Sequence, residues 1–341
     1  LNEGYRAMAQ RIVTVFGGSG FLGRYVVKRL VAQGAKVRVA VRHMDHAIFL
    51  KPLGDVGQIV PMSVDINDTE AVQVAVKGAD TVINLIGILY ERGKRTFERL
   101  HVDGARTIAE AAKQAGVKHM IQISAIGADE NATAKYARTK ALGEKAVQEA
   151  FPGATVVRPS IIFGPEDGFF NLFTSLSRIT PFLPVIGCPF PPKRIAGSLF
   201  KFDCYGTGGT KFQPVYVGDV AEAITKIVND VSLQGKIYEL GGPRVNSFKE
   251  IMELILNQIK RRRLLLPLPF WFAKIKAFFL EFLPVPILTR DQVELLKTDN
   301  IVDENALGFK DIGITPMAAE GILPAYLNRY RTGGQRHFRP A

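Results

Sequence analysis

The stretch "RIVTVFGGSGFLGRYVVKRLVAQG" (11–34) constrains the fold of this chain more than any other. A β-branched run, Ile12 to Phe16, passes through a glycine turn into apolar residues at helical spacing that stop at Gly34. Gly17, Gly20 and Gly23 fall in a G-x-x-G-x-x-G spacing at this strand-to-helix junction. Glycine there lets backbone N–H groups approach a pyrophosphate, whose charge is stabilised at a helix N-terminus. A glycine turn alone is a weak signal. At the head of a strand–helix series it reads as a dinucleotide cradle, with Ser19, Phe21, Leu22 and Arg24 as its other members.

The series continues. "AKVRVAVR" (35–42) alternates as a second strand, a third precedes "SVDIND", and "DTVINLIG" (80–87) and "KHMIQIS" (118–124) are further apolar runs separated by helical stretches such as "GARTIAEAAKQAG". Such alternation predicts an α/β fold: a Rossmann-type doubly wound parallel sheet with a smaller C-terminal lobe. Residues 10–160 are expected to form the NAD(P)-binding domain. "FQPVYVGDVAEAITKIV" and "GKIYELGGP" are expected to return 211–243 to it, leaving 161–210 and 244–341 as a lobe facing substrate or partner. Ser247 and Glu250 form a capping box that opens the helix of "IMELILNQI".

Cofactor preference is read at the end of the second strand. An NAD site usually places Asp or Glu about 20 residues beyond the glycines to accept from the ribose 2′-OH, whereas NADP sites carry Arg. This strand ends in Arg42, and Arg24 follows the glycine turn, so NADPH is expected over NADH. Asp65 is expected near the adenine, and Asn84, Ile86 and Gly87 beneath the cofactor.

An apolar share of 47% is ample for a packed core. Cys188 and Cys204 supply no disulfide framework, and with five histidines no metal-binding spacing is visible, so no metal is expected and a reducing compartment fits best. The formal charge of +12 points to anionic ligands, lipid head groups or partner surfaces. No nucleic acid is expected, because basic residues are not interleaved with aromatics in a reading pattern. "LNEGYRA" is unlike a signal or transit sequence. A membrane span needs roughly 20 largely uncharged apolar residues. The nearest approach, Leu264 to Leu288, is interrupted by Lys274, Lys276, Glu281 and four prolines. The surrounding "RRRLLLPLPFWFAKIKAFFLEFLPVPIL" suits a membrane interface or a hydrophobic partner surface, and equally suits burial in its own lobe.

"YARTK" places Tyr136 and Lys140 four residues apart, on one face of a helix. Together with "GGSGFLG", "VINLIG", "HVDGARTIAEAAKQAGVKHMIQISA" and "VVRPSIIFGP", it resembles the extended and atypical short-chain dehydrogenase/reductases. "GDVGQIVPM", "LPVIG", "TKFQPVYVGDVAEAI", "YELGGP" and "LTRDQVELLKTDNIV" narrow the resemblance to the nucleotide-binding accessory subunits of respiratory complex I. That resemblance implies tightly held NADPH, other complex I subunits as partners, and a place where the peripheral arm meets the membrane arm. It implies peripheral inner-membrane association, on the matrix face in a eukaryote or the cytoplasmic face in a bacterium, with membrane contact through the C-terminal apolar and basic region.

Within the superfamily, Ser124, Tyr136 and Lys140 match the catalytic types in order, and Tyr136, Lys140 and Pro159 are expected to touch the cofactor. Two features speak for a vestigial set that only holds NADPH. "AIGADENATAK" separates Ser124 from Tyr136, and His101 stands where active relatives often carry an Asn that supports proton relay. An NADP-dependent reductase or sugar-nucleotide epimerase, and an NADPH-sensing regulator, remain as other readings. The segment Cys188–Thr207, "CPFPPKRIAGSLFKFDCYGT", interrupts the family pattern and reads as a lineage-specific loop.

Overall fold

The chain is described by a computed structural model over residues 11–194 and 202–331; "LNEGYRA" and part of the Cys188–Thr207 segment lie outside the described residues. Its centre is a seven-stranded sheet of β1 (Ile12–Phe16), β2 (Lys36–Val41), β3 (Ile59–Ser63), β4 (Thr81–Asn84), β5 (His119–Ile123), β6 (Thr155–Pro159) and a strand from the later chain, Ile237–Leu240. With β7 (Phe182–Ile186) set apart in the second lobe, Ile237–Leu240 is β8, and the order is β8-β6-β5-β4-β1-β2-β3. Every neighbouring pair is parallel. The central strands read as apolar runs because both faces are covered.

The order reverses between β1 and β4, where Val15 lies beside Val39 on one side and Ile83 on the other. In an open α/β sheet this switch point leaves a crevice at the carboxyl ends of the strands, where ligands bind. On one face, α1 (Phe21–Ala32) and the later Val217–Asn229 helix bury Val26, Val27, Leu30, Val220, Ile224 and Ile227 in one core. On the other, α2 (Thr69–Val76), α3 (Gly104–Gln114) and α4 (Lys135–Ala150) bury Val72, Ile108, Ala112 and Val147.

The second lobe has its own core around Phe163, Phe170, Leu183, Phe248, Ile255 and Leu323. It is built on α5 (Phe169–Ile179), and, past α6 (Val217–Asn229), on α7 (Phe248–Ile259). The predicted capping box opens α7: Ser247 Oγ accepts the Glu250 amide and Glu250 accepts the Ser247 amide. The "RRRLLLPLP" stretch supplies β9 (Leu264–Leu268), parallel to β7. It leads into α8 (Phe270–Leu280) and the short α9 (Arg290–Leu295).

Helix α8 is unusual in what it buries. Its covered residues are Ala273 and Ala277, small side chains one turn apart, while Trp271, Ile275 and Phe279 are 54%, 50% and 67% exposed. The exposed apolar surface continues through Phe282 and Val285. No helix among the described residues is long and apolar enough to cross a membrane.

Candidate dinucleotide site

The glycine turn sits at the switch point. Gly17 has φ +76°, a left-handed conformation that side chains resist, and a Cβ there would meet the backbone of Leu85 at 3.2 Å. Gly23 is the tighter constraint: a Cβ would stand 2.3 Å from the Gly17 carbonyl, so only glycine lets the first turn of α1 close on the loop. Gly20 occupies the N-cap and has no side chain to cover the first amides of α1, which are therefore free for an anion. Ser19 and Phe21 line the turn half-exposed, and Leu22 anchors it in the core.

Arg24 reaches from α1 toward the end of β2. Its guanidinium lies 5.0 Å over the Phe49 ring and donates to Glu166 at 3.3 Å, while its buried Nε has no protein partner. Arg42 is exposed just beyond β2. Asp65, past the end of β3, is committed to local structure: Oδ1 accepts the Asn67 amide at 3.0 Å and its side-chain amide at 2.6 Å. Those bonds, chiefly the backbone one, hold its carboxyl below the usual range, with Arg99 and Arg42 adding to the effect.

Asn84 ends β4 fully buried. It donates to Gln122 at 2.9 Å and accepts the Ile86 amide at 3.1 Å, which shapes the Asn84–Gly87 turn along the crevice. Gly87 faces Lys140: a Cβ there would stand 3.2 Å from Nζ. Lys140 Nζ donates to the Ile123 carbonyl at 3.5 Å and lies 5.9 Å from the centre of the Tyr136 ring. The ammonium is buried, and desolvation lowers its pKa to about 8. Ser124, next to Ile123, is buried with its Oγ unpartnered. Pro159 ends β6, its carbonyl taken by the Ile126 amide at 3.1 Å. The ends of β4 and β5 and helix α4 thus bring Gly87, the Ile123 carbonyl, Tyr136 and Lys140 together, with Ser124 next in sequence to Ile123, while Arg24 lies in the first turn of α1, Arg42 just beyond β2, and Asp65 is occupied locally.

The residues beside Tyr136 are the part that spacing alone did not reveal. Its ring is edge-on to Phe97 and His101, with centroids 5.8 Å and 5.5 Å away. His101 is buried, and Nε2 accepts the Ile88 amide at 3.2 Å. Nδ1 must then carry the proton, which it donates to Thr139 Oγ1 at 3.1 Å; the Thr139 hydroxyl donates in turn to the Tyr136 carbonyl. Burial, aided by Lys140, pushes the imidazole down to about 2, so it is neutral throughout the physiological range. Burial likewise pushes the Tyr136 phenol up to about 12.

These residues fit a dinucleotide. The glycine turn would be filled by a single Cβ, and the Ser124 hydroxyl and Arg24 Nε are buried without a protein partner. A family model described as NAD(P)H-binding matches residues 17–168. The chain is 38% identical over 335 residues to the mitochondrial NADH dehydrogenase [ubiquinone] 1 alpha subcomplex subunit 9 of Arabidopsis thaliana, covering 95% of this chain and 79% of that one. It is 32% identical to the mitochondrial NADH-ubiquinone oxidoreductase 40 kDa subunit of Neurospora crassa, covering 100% and 85%. The chain belongs to the alpha subcomplex subunit 9 family.

Membership in this family agrees with the fold. An Escherichia coli NADPH-dependent quinone oxidoreductase, solved with NADPH, superposes with a TM-score of 0.69 at 20% identity, covering 93% of this chain and 99% of that one. At that identity the likeness concerns the fold alone. In this chain Ser124, Tyr136 and Lys140 stand on that frame, and a chain of hydrogen bonds runs from the Ile88 amide through His101 and Thr139 to the Tyr136 carbonyl.

Proposed function

We propose that this chain is an accessory subunit of respiratory complex I that holds NADPH as a structural group. What carries the reading is His101. Its acceptor nitrogen is spent on the Ile88 amide and its proton on Thr139, so it offers no path for a proton to leave Tyr136. Tyr136, raised to about 12, is a poor acid or base near neutral pH, and Lys140 at about 8 keeps its charge for a phosphate-linked ribose. The nicotinamide group would supply hydride chemistry when bound. The protein's own residues are arranged to bind and orient it: the glycine turn holds the pyrophosphate, Lys140 and Tyr136 the nicotinamide-side ribose. Arg24 and Arg42 favour the 2′-phosphate of NADPH over the bare hydroxyl of NADH.

The exposed aromatic face of α8 supports peripheral association with the inner membrane. Amphipathic elements of this kind place Trp and Phe in the head-group boundary with cations alongside. Lys276 lies 5.2 Å over the Phe272 ring and Arg290 5.2 Å over Phe278, so both charges ride on the apolar face. The compartment would be the matrix face in a mitochondrion or the cytoplasmic face in a bacterium.

Purification from membranes in mild detergent tests the reading. The chain should co-migrate with a large complex and release NADPH stoichiometrically on denaturation, without consuming it before. Recovery as a free protein that turns over NADPH would overturn it. That outcome would favour the second reading, an NADP-dependent reductase, for which the unpartnered Ser124 hydroxyl, next in sequence to the Ile123 carbonyl that Lys140 meets, is the specific support.

A further inference from the structure

Helix α4 carries Tyr136 and Lys140 but cannot cap itself. Ala134 stands at its N-cap, with no side chain able to accept the first amides. Those amides are instead taken by a residue far along the chain: Asp291 Oδ1 accepts the Lys135 amide at 2.6 Å and Oδ2 the Tyr136 amide at 3.0 Å. A carboxylate here satisfies two orphan donors and places negative charge at the positive end of the helix.

Asp291 is itself held firmly. It lies in the first turn of α9, which is opened by a reciprocal capping box between Thr289 and Gln292. Gln292 also donates to the Leu89 carbonyl at 3.3 Å, and Val293 is fully buried in the second lobe. Arg92 donates to the Pro284 carbonyl at 2.7 Å, and Lys274 of α8 pairs with Glu294 of α9 at 2.6 Å. The α8–α9 unit therefore grips both the loop after β4 and the first turn of α4, the two segments that form the Gly87–Lys140 wall.

We propose that Asp291 is a positioning residue of the dinucleotide site, contributed by the second lobe, which fixes the first turn of α4 and so places Tyr136 and Lys140 against the nicotinamide-side ribose. The proposal rests on the reading that these two residues face that ribose. It locates the effect on one half of the ligand. The glycine turn, which binds the pyrophosphate and the adenine side, belongs to α1 and β1 and does not touch Asp291.

The test uses the full chain, with NADPH titrated by fluorescence and 2′,5′-ADP, which lacks the nicotinamide half, by calorimetry. Loss of a helix cap should weaken NADPH binding by Asp291→Ala about five- to tenfold, leaving 2′,5′-ADP within about twofold. Asp291→Asn, which retains one acceptor oxygen, should recover part of the loss. Asp299→Ala is the control, since Asp299 accepts the Lys211 amide at 2.8 Å elsewhere in the same lobe; it should leave both ligands unaffected. Unchanged NADPH affinity in Asp291→Ala overturns the proposal. So does an equal loss for both ligands, or the same loss in Asp299→Ala, because either marks general destabilisation. Should Asp291→Ala not fold, the comparison of the two ligands is made on Asp291→Asn and decides alike. If the unaltered chain binds 2′,5′-ADP but NADPH no better, the ribose reading fails first; if it binds both as expected and the variants are indistinguishable, only the role of Asp291 falls.

Discussion

His101 Nε2 accepts the Ile88 amide at 3.2 Å, and this one bond sets the tautomer of the imidazole that lies edge-on to Tyr136. With the proton confined to Nδ1, the ring, Thr139 and the Tyr136 carbonyl form a closed chain. The cost appears in acid. In the folded protein the imidazole titrates at about 2, and in the unfolded chain near its ordinary 6.5. The unfolded state thus binds more protons between those values, so the stability associated with neutral His101 is complete above about pH 6.5 and lost as pH falls toward the folded value.

Substitution of His101 by Asn keeps an acceptor for Ile88 and removes the titration. Unfolding free energies of His101→Asn and the parent from urea titration should converge as pH falls from 7 to 4.5, by up to about 1.4 kcal/mol per pH unit in the steepest part. A residual acid slope is expected in both, because burial also lowers His119, to about 4. Parallel curves would refute the assignment of His101 as a buried neutral group.

Lys140 works against folding in the free protein. Burial of its ammonium lowers the pKa from 10.5 to about 8, so the folded state gives up the proton more readily than the unfolded one, and stability should rise with pH between those values. Lys140→Met keeps the stem and removes the buried charge. At pH 7 it should stabilise the free protein, by on the order of 1–3 kcal/mol in urea unfolding, while weakening NADPH at least tenfold. A variant that loses both stability and affinity would show that Lys140 is structural and not reserved for a ligand.

Much of this was legible in the chain. The bounds of β1, Ile12–Phe16, and the Ser247–Glu250 capping box follow from local pattern, because a buried strand and a helix start each require particular residues at adjacent positions. The glycine turn between β1 and α1 was legible for the same reason. What surrounds Tyr136 was not: Asp291 lies 155 positions from the amide it caps, and no periodicity links residues that far apart. Nor does local pattern distinguish a His101 that relays a proton from one whose acceptor is spent on Ile88, since that depends on how the turn after β4 folds back. The "FWFAKIKAFF" segment reads as aromatic-rich with scattered charges, and only packing shows that its alanines, not its aromatics, are the buried face.

The glycines of the cradle and those of ordinary turns should separate cleanly. Gly23→Ala drives a Cβ to 2.3 Å from the Gly17 carbonyl, a backbone atom that cannot yield, so α1 must shift off the loop. Nucleotide binding should be abolished and stability should fall by roughly 2–4 kcal/mol. Gly34 has φ +82°, but a Cβ added there would meet nothing within 4 Å, so Gly34→Ala should cost only about 1 kcal/mol and leave NADPH affinity intact. Thermal unfolding with and without NADPH distinguishes the two: the ligand-induced rise in Tm survives in Gly34→Ala and vanishes in Gly23→Ala.

On the proposed reading, the choice between NADPH and NADH turns on Arg24 and Arg42. Arg24 is held by two weak partners, a ring face at 5.0 Å and a 3.3 Å bond to an exposed Glu166, with its Nε still unpartnered. A guanidinium so placed is oriented without being saturated, and a 2′-phosphate can complete its donors, joined by the exposed Arg42. Arg24→Gln with Arg42→Gln should therefore weaken NADPH about tenfold or more and leave NADH within about twofold, because each charge-assisted bond to a phosphate is lost while a ribose hydroxyl asks for neither. Glu166→Gln should act in the opposite sense, relieving repulsion of the incoming phosphate and tightening NADPH without altering NADH. If the double variant weakens both nucleotides alike, the arginines serve the common pyrophosphate, and selection of NADPH must lie elsewhere in the site.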